Sequence, residues 1–425
     1  MIIKASQRGN AGELARHLSN TQDNEHVTLH KLEQMSADTL RDALMEIEAT
    51  AAGTRCKQPL FHCSFNPPAN QNVSTQEFEE AAKATAKKLG LQDQPYAFVF
   101  HEKQGRRHAH VVWSRIDAEH MRAIHLPFFK NRLTELTKEI YLSKGWTLPH
   151  GLIDKSLRNP LNFTLTEWQQ AKRSKSDPRL IKQILQKHWL HSKNQKIFEH
   201  NIEQHGLKLA RGDKRGYVVV NWQGEVHSLS RQLGMKAKDL KSQLDPTDTL
   251  PSVDEVKAAF DQEKIKKLNH FLKEVEKRYV PKFKDLRQQR QAMQRAHKQA
   301  RHHLKEKQQR RQQAEQEERQ QRFNKGLRGF WDKIIGRKNR IEQRNQYEAY
   351  QALLRDQQER DHLIYSQLQE RQELQQQIDK QRADIHQERE HAVTTMFEQE
   401  RPKEIEQHLQ RTKQRSIKRD FNLSL

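Results

Sequence analysis

Residues 95–117 read PYAFVFHEKQGRRHAHVVWSRID, two apolar runs on either side of a short polar centre. Placing Gln104-Gly105 as a two-residue hairpin turn pairs Lys103 with Arg106, Glu102 with Arg107 and His101 with His108. Side chains alternate along a strand, so His108 and His110 share one face. Across the hairpin His101 joins them on that face, roughly 5 Å from its partner. The other face carries Phe98, Phe100, Ala109, Val111 and Trp113, a set suited to packing under helices, with Glu102 and Arg107 at its turn end. One register therefore specifies both a sheet that needs helical cover and a cluster of three imidazoles.

Three neutral imidazoles on one face make a good ligand set for a borderline divalent cation, with positions left for water or substrate. The face has no carboxylate, which argues against a calcium cage. The plain alternative is three exposed histidines on a polar sheet face, in a chain that contains 23 histidines. Alternation combined with the cross-strand coincidence favours the metal. An open metal position beside a polyanion can stabilise the charge that develops as a phosphodiester is displaced. Arg106, Arg107 and Arg115 lie close in sequence and could hold flanking phosphates; a solvated hairpin end is the alternative for each.

Composition points to the same partner. The 425 residues carry a formal net charge of +22, with 34% hydrophobic and 31% charged residues. Such a chain can bury one good core while part of it stays extended, and its charge calls for an anionic partner, nucleic acid first and an acidic membrane surface second. No apolar run is long enough to span a membrane, and MIIKASQRGN opens no signal-like apolar stretch. Cys56 and Cys63 are too few for a disulfide framework or zinc finger, so a reducing, cytoplasmic location is expected.

Punctuation divides the chain. Twelve of the 15 glycines fall at or before Gly234, and Pro402 is the only proline after Pro281. Helical spacing marks 11–18 and 40–53, and KQPLFHCSFNPP (57–68) reads as a strand. Residues 74–90 form a helix with Ser74 and Glu77 as a capping box and Gly90 as its stop; another helix runs over 130–145. The order β–α–β–β–α predicts an antiparallel sheet with helices on one face. The expected divisions are a first domain over 1–155 and a small helix and β-hairpin module over 160–245. The module begins near LNFTLTEWQQAKR (161–173) and its hairpin (216–230) turns at Gln223-Gly224. A linker follows at 246–252, and a basic Gln/Arg/Glu-rich helical tail over 253–425 breaks near 323–341. The break, FNKGLRGFWDKIIGRKNRI, reads as a hinge or, on its apolar and basic character, a docking patch. A heptad through Leu368 and Ile378 would put Arg371, Gln375 and Arg382 in its seam, so no committed coiled coil is expected.

HEKQGRRHAHVVWSRID resembles the metal motif of plasmid-mobilisation relaxases, the MobA-type relaxase/mobilization nucleases of the HUH endonuclease group. His108-Ala109-His110 matches their His-hydrophobic-His pair and His101 their third ligand. KASQRGNAGELARHL is similar to the first relaxase motif, FHCSFNPPAN to the second-strand segment, and NEHV lies in the expected neighbourhood. The resemblance covers about residues 1–150, the middle module loosely, and the tail only in that such proteins often carry long basic helices. It implies an α+β fold with a five-stranded, helix-flanked antiparallel sheet and one divalent metal, Mn2+ or Mg2+. It also implies nicking of one strand of plasmid or integrative-element DNA at an origin of transfer, with covalent attachment to the 5′ phosphate. Single-stranded origin DNA, relaxosome accessory proteins and a type IV secretion coupling ATPase are the implied partners, and the protein would travel with the transferred strand.

Two positions depart from the family pattern. Most members attack with a first-motif tyrosine, but this chain has no tyrosine before Tyr96, and His17 stands at the matching position. A branch of relaxases is thought to use histidine there, which is chemically sound because histidine can be a covalent nucleophile. His17 is thus the leading candidate, a structural histidine on a polar helix face being its alternative; His26 is second, and Tyr96 and Tyr141 are fallbacks. Many relatives also place an acid two residues after the first metal histidine, where this chain has Lys103. Alternation turns Glu102 away from the metal, so Asp23 or Glu25 would supply any base or supporting role. Two further readings stand beside the relaxase: a rolling-circle replication initiator of the same fold, and a DNA-binding relaxosome scaffold without catalysis.

Overall fold

The computed structural model describes residues 1–154, 159, 161–162, 178–213, 216–324 and 334–397. Five strands, β1 (Ile2–Arg8), β2 (His26–Glu33), β3 (Leu60–Asn66), β4 (Tyr96–Lys103) and β5 (Arg106–Ser114), form an antiparallel sheet in the order β1-β3-β5-β4-β2. The resemblance implied this sheet. The hairpin has the register read from the sequence, with His101 opposite His108, Glu102 opposite Arg107 and Lys103 opposite Arg106. Gln104 (φ 54°) and Gly105 (φ 68°) both take the left-handed conformation that a tight two-residue turn requires.

Helices cover both faces of the sheet, not one as the element order predicted. Helices α1 (Ala11–Leu18) and α2 (Leu40–Ala51) pack Leu14, Leu18, Leu44 and Ile47 against Leu60, Ala97, Val99 and Val112. Across the sheet, α3 (Thr75–Leu89) and α4 (Phe129–Ser143) cover Phe61, Phe65, Phe98, Phe100, Val111 and Trp113. The reason lies in β4 and β5, where AFVF and AHVVW are apolar at consecutive positions, the pattern of strands buried on both sides. Helix ends follow local chemistry. The Asn10 side chain accepts from the Glu13 N–H, Ser74 and Glu77 form the expected capping box, and Gly90 ends α3 at φ 74°. A two-residue ribbon, β6 (Ile116–Asp117) with β7 (Arg122–Ala123), and the short α5 (His150–Ile153) complete this part.

A second unit spans residues 154–283 and 380–425. It contains α6 (Pro178–His191), α7 (Gln195–Glu203), a three-stranded sheet of β8 (Leu207–Gly212), β9 (Gly216–Asn221) and β10 (Val226–Ser228), and the short helices α8 (Leu229–Leu233), α9 (Ala237–Lys241) and α10 (Val253–Ala258). The hairpin expected at Gln223-Gly224 is present, whereas β8 was not anticipated. Residues 163–173 of the expected module start lie outside the described residues.

Two long helices follow, α11 (Gln262–Gln321) and α12 (Arg337–Phe397). The interruption expected near 323–341 falls between them, with 325–333 outside the described residues. Their residues 284–379 do not form a separate tail, as the sequence division had it; they belong to the same unit as the five-stranded sheet. Leu286, Leu374 and Ile378 bury one another, and Arg311 of α11 reaches Asp356 and Glu359 of α12. Several contacts fasten α12 to the sheet domain. Asp361 accepts from the Thr75 N–H (3.1 Å) and hydroxyl (2.7 Å) at the start of α3. The same carboxylate pairs with Arg107 (3.3 Å), whose guanidinium lies 3.7 Å from the Phe100 ring centroid. Gln372 donates its amide to the Gly105 carbonyl (2.8 Å).

The last contact makes Gly105 doubly constrained. A Cβ there would stand 2.7 Å from the Gln372 nitrogen and 2.9 Å from its Cα, on a residue already at positive φ. Gly105→Ala should cost about 1–3 kcal/mol through this overlap and lower the thermal unfolding midpoint. Gln104→Asn, at a left-handed position that asparagine tolerates, should leave the midpoint unchanged; equal midpoints for Gly105→Ala and the wild type would mean that α12 does not press on the turn.

Candidate metal centre and nucleophile

The hairpin register brings His101, His108 and His110 together as expected, each offering one ligand atom within 4.8 Å of the others. They do not lie on an open polar face. His101 and His110 are buried and His108 half-buried at the margin of the ground covered by α1. Two neighbours orient the rings. His101 Nε2–H donates to the Leu18 carbonyl (2.6 Å) at the end of α1, which leaves the Nδ1 lone pair. His62 Nε2 lies 2.8 Å from His110 Nδ1; a proton on Nδ1 shared with His62 leaves the lone pair on His110 Nε2. Such supporting partners are what a metal-binding imidazole normally has. His62 was missed in the sequence. It stands on β3, and the β3–β5 pairing that stacks it on His110 (ring centroids 5.1 Å) cannot be read from either strand alone.

Burial keeps this cluster uncharged. Desolvation comes first in lowering the pKa values of His62 and His108 to about 4, followed by the charge of Arg8 for His62 and by repulsion from His101 for His108; desolvation and then repulsion from its histidine neighbours push His110 lower still. For His101 desolvation lowers the value while its bond to Leu18 partly opposes it. Neutral imidazoles with a free lone pair and no competing proton fit a divalent metal, and the residues present satisfy the donor chemistry of such a site.

The nucleophile candidates separate sharply. His17, at the exposed last turn of α1, meets His110 edge-on with ring centroids 6.4 Å apart. The bond from His101 to Leu18 ties that turn to the histidine cluster. His26 shares the sheet face of Glu102, its register partner, and its ring approaches His297 (6.5 Å) instead of the three histidines. Tyr96 lies at the opposite end of β4 from His101, against Trp113, and Tyr141 is buried on α4 against Trp146.

Of the arginines expected to hold phosphate, only Arg106 is exposed. Arg107 is buried between Asp361, Thr75 and Phe100. Arg115 is buried with its guanidinium bonded to Gln7, the Gln58 carbonyl and the Ile124 carbonyl. Both are engaged within the protein, Arg107 from β5 and Arg115 from just beyond its end, a correction to their assignment as DNA contacts. The histidine face itself continues into an uncovered strip of β1 and β3, where Lys4 pairs with Ser64 and Ser6 with His62.

Glu102 points away from the histidines, as alternation required, into a buried cluster of charges. Both its oxygens bond to Arg301 of α11 (2.8 Å each), and Arg371 of α12 donates to it at 2.5 Å. Arg371 also reaches Glu25 (3.3 Å), which pairs with Arg290 (3.5 Å). Burial works against the Glu102 carboxylate, but the bonds and charge of Arg301, followed by the charge of Arg371, outweigh it and hold its pKa at about 2. Removing one member of such a cluster typically costs roughly 3–5 kcal/mol, since the other charge is stranded. Glu25 is thereby committed to arginine, and Asp23 bonds to Asn20 at the surface.

The depressed histidines set a pH dependence. Their folded pKa values lie below that of the unfolded chain, so the unfolded state binds more protons and the stability they contribute, complete above about pH 6.5, is lost as pH falls toward 4. With metal chelated, the thermal midpoint should drop steadily between pH 6.5 and 4, and His110→Gln should flatten that slope; a wild-type midpoint constant over this range would show that the cluster is not buried uncharged.

Among the described residues no helix is long and apolar enough to cross a membrane. No match to the chain was found among curated proteins or among solved structures. A family model does match: that of the MobA/VirD2-like relaxase nuclease domain, over residues 17–146. The matched stretch begins at His17 and contains the three converging histidines and four of the five sheet strands. Residues 17–146 are thus similar to the nuclease domain of the MobA/VirD2-like relaxases.

Proposed function

We propose that the protein is a metal-dependent relaxase that nicks one DNA strand at an origin of transfer and remains bound to the new 5′ phosphate through His17. The observation that carries this reading is the meeting, in one place, of a buried neutral histidine cluster and an exposed imidazole 6.4 Å from His110, ring to ring. A divalent metal held by His101, His108 and His110 would polarise the scissile phosphate and offset the charge that builds on its oxygens.

The chain's own residues would do the rest. An imidazole lone pair of His17 attacks phosphorus, the bond from phosphorus to the 3′ oxygen breaks, and that oxygen takes up a proton from solvent as it leaves. The other His17 nitrogen releases its proton to solvent, so the imidazole ring ends uncharged and the phosphoramidate keeps the single negative charge of the former phosphodiester. Reversal by a 3′ hydroxyl rejoins the strand, so the linkage stores the bond energy needed for strand transfer. The uncovered strip of Lys4, Ser6, Ser64 and Asn66 gives the strand a polar bed beside the cluster, with Arg8 and Arg106 as exposed phosphate contacts at its margins. Piloting of the strand, and contact with accessory proteins and a coupling ATPase, belong to the same reading.

Purified protein should relax a supercoiled plasmid bearing its cognate origin only when manganese or magnesium is present, leaving protein on the 5′ end. His108→Ala combined with His110→Ala should reduce nicking by about 100-fold or more. Undiminished nicking in that variant would rule out the histidine cluster as the catalytic metal site. Salt-sensitive DNA binding with no covalent product from the wild type would favour the non-catalytic scaffold.

A further inference from the structure

Helix α11 carries a second positively charged surface that the nicking chemistry does not use. Lys284, Arg287, Arg295, Lys298, His302 and Lys305 are all exposed, and with Gln291 and Gln309 they recur every three or four residues. That spacing aligns them on one stripe of the helix, about 30 Å long at 1.5 Å per residue. No carboxylate lies within the stripe. His302 has one loose partner, Glu306 at 3.6 Å; Arg287, Arg295, Lys298 and Lys305 have no ion pair among the described residues.

Its place on the helix is informative. Arg290, His297 and Arg301 form the ridge that touches the nuclease domain, at Glu25, His26 and Glu102. At 100° per residue, the stripe lies roughly 60–140° around the helix from that ridge. Leu286, Met293 and Arg311, which meet α12, lie on the other side. The stripe thus flanks the ridge that meets the sheet domain at the start of β2 and faces away from α12.

We propose that this stripe docks double-stranded DNA, holding the duplex that flanks the strand being nicked. The proposal rests on the DNA-nicking reading of the chain. Charge complementarity supplies the attraction, since duplex DNA carries one negative charge per about 1.7 Å of axis. The stripe covers most of one duplex turn, roughly 34 Å. Its composition selects duplex over single strand. Single-strand surfaces interleave cations with aromatic side chains on which bases stack, and this stripe has no phenylalanine, tyrosine or tryptophan. What remains is a straight row of phosphate contacts without base readout.

The test compares full-length proteins on a 30-base-pair duplex of random sequence and on one of its single strands, with no nicking required. Arg287→Gln, Arg295→Gln, Lys298→Gln and Lys305→Gln together should weaken duplex binding about tenfold or more and reduce the log–log salt slope by about 3 to 4. Single-strand binding and the thermal midpoint should stay unchanged, glutamine being exposed there and a good helix former. Exchanging the same four positions between arginine and lysine should preserve duplex binding. Neutralising Lys83, Lys87, Lys130 and Lys238, exposed elsewhere, removes equal charge and should have little effect. Duplex affinity that is unchanged in the stripe variant, that falls equally in the control variant, or that falls no more than single-strand affinity would each overturn the proposal. Covalent nicking of single strands is scored separately, so loss of either activity leaves the other measurable.

Discussion

The register of one hairpin, His101 opposite His108 across Gln104-Gly105, is the constraint on which the rest depends. Strand side chains alternate with a period of two, so a slip of one residue would send all three histidines to the other face and bring Glu102 and Arg107 in their place. The protein guards this register at several points. Left-handed conformations at Gln104 and Gly105 define the turn, Gln372 holds the Gly105 carbonyl, and the two strand-end charges are separately anchored, Glu102 to Arg301 and Arg371 and Arg107 to Asp361. A register error would expose or strand several buried charges at once, a penalty far larger than a surface contact could impose.

The two faces of the hairpin divide the work. On one, Val99 and Val112 pack under α1 and α2 while the histidines continue the same rows to the edge of that cover. On the other, Phe98 and Phe100 lie under α3, and the rows end in Glu102 and Arg107, which receive the long helices. Burial that keeps the histidines neutral and the ion pairs that attach α11 and α12 are thus consequences of one alternating pattern. The hairpin that carries the histidine cluster is supported by residues some two hundred positions away in sequence, well outside the family match at 17–146.

What the sequence made legible was local. Turn residues and alternation were enough for the hairpin register, the histidine trio and the outward turn of Glu102, and capping chemistry was enough for the ends of α3. Properties set by distant partners were not. His62 joins the cluster only through β3–β5 pairing, and Arg107 and Arg115 look like phosphate contacts until the elements packed over them are known. The apparent flaw in the α12 heptad has the same origin: Arg371 occupies a seam position because it faces Glu102 and Glu25 instead of another helix stripe. Helical cover on both faces was foreshadowed by the unbroken apolar runs of β4 and β5, which an order-of-elements argument overlooks.

In the proposed reaction His17 sets the chemistry, since a histidine nucleophile would give a phosphorus–nitrogen linkage where a tyrosine would give a phosphorus–oxygen ester. The most direct measurement is peptide mapping by mass spectrometry of the covalent species formed with cognate origin single strand and manganese, before and after mild acid. A nucleotide mass on the peptide containing His17, released by acid, is the expected result. An acid-stable adduct on Tyr96 or Tyr141, or an adduct that forms undiminished in His17→Ala, would contradict it.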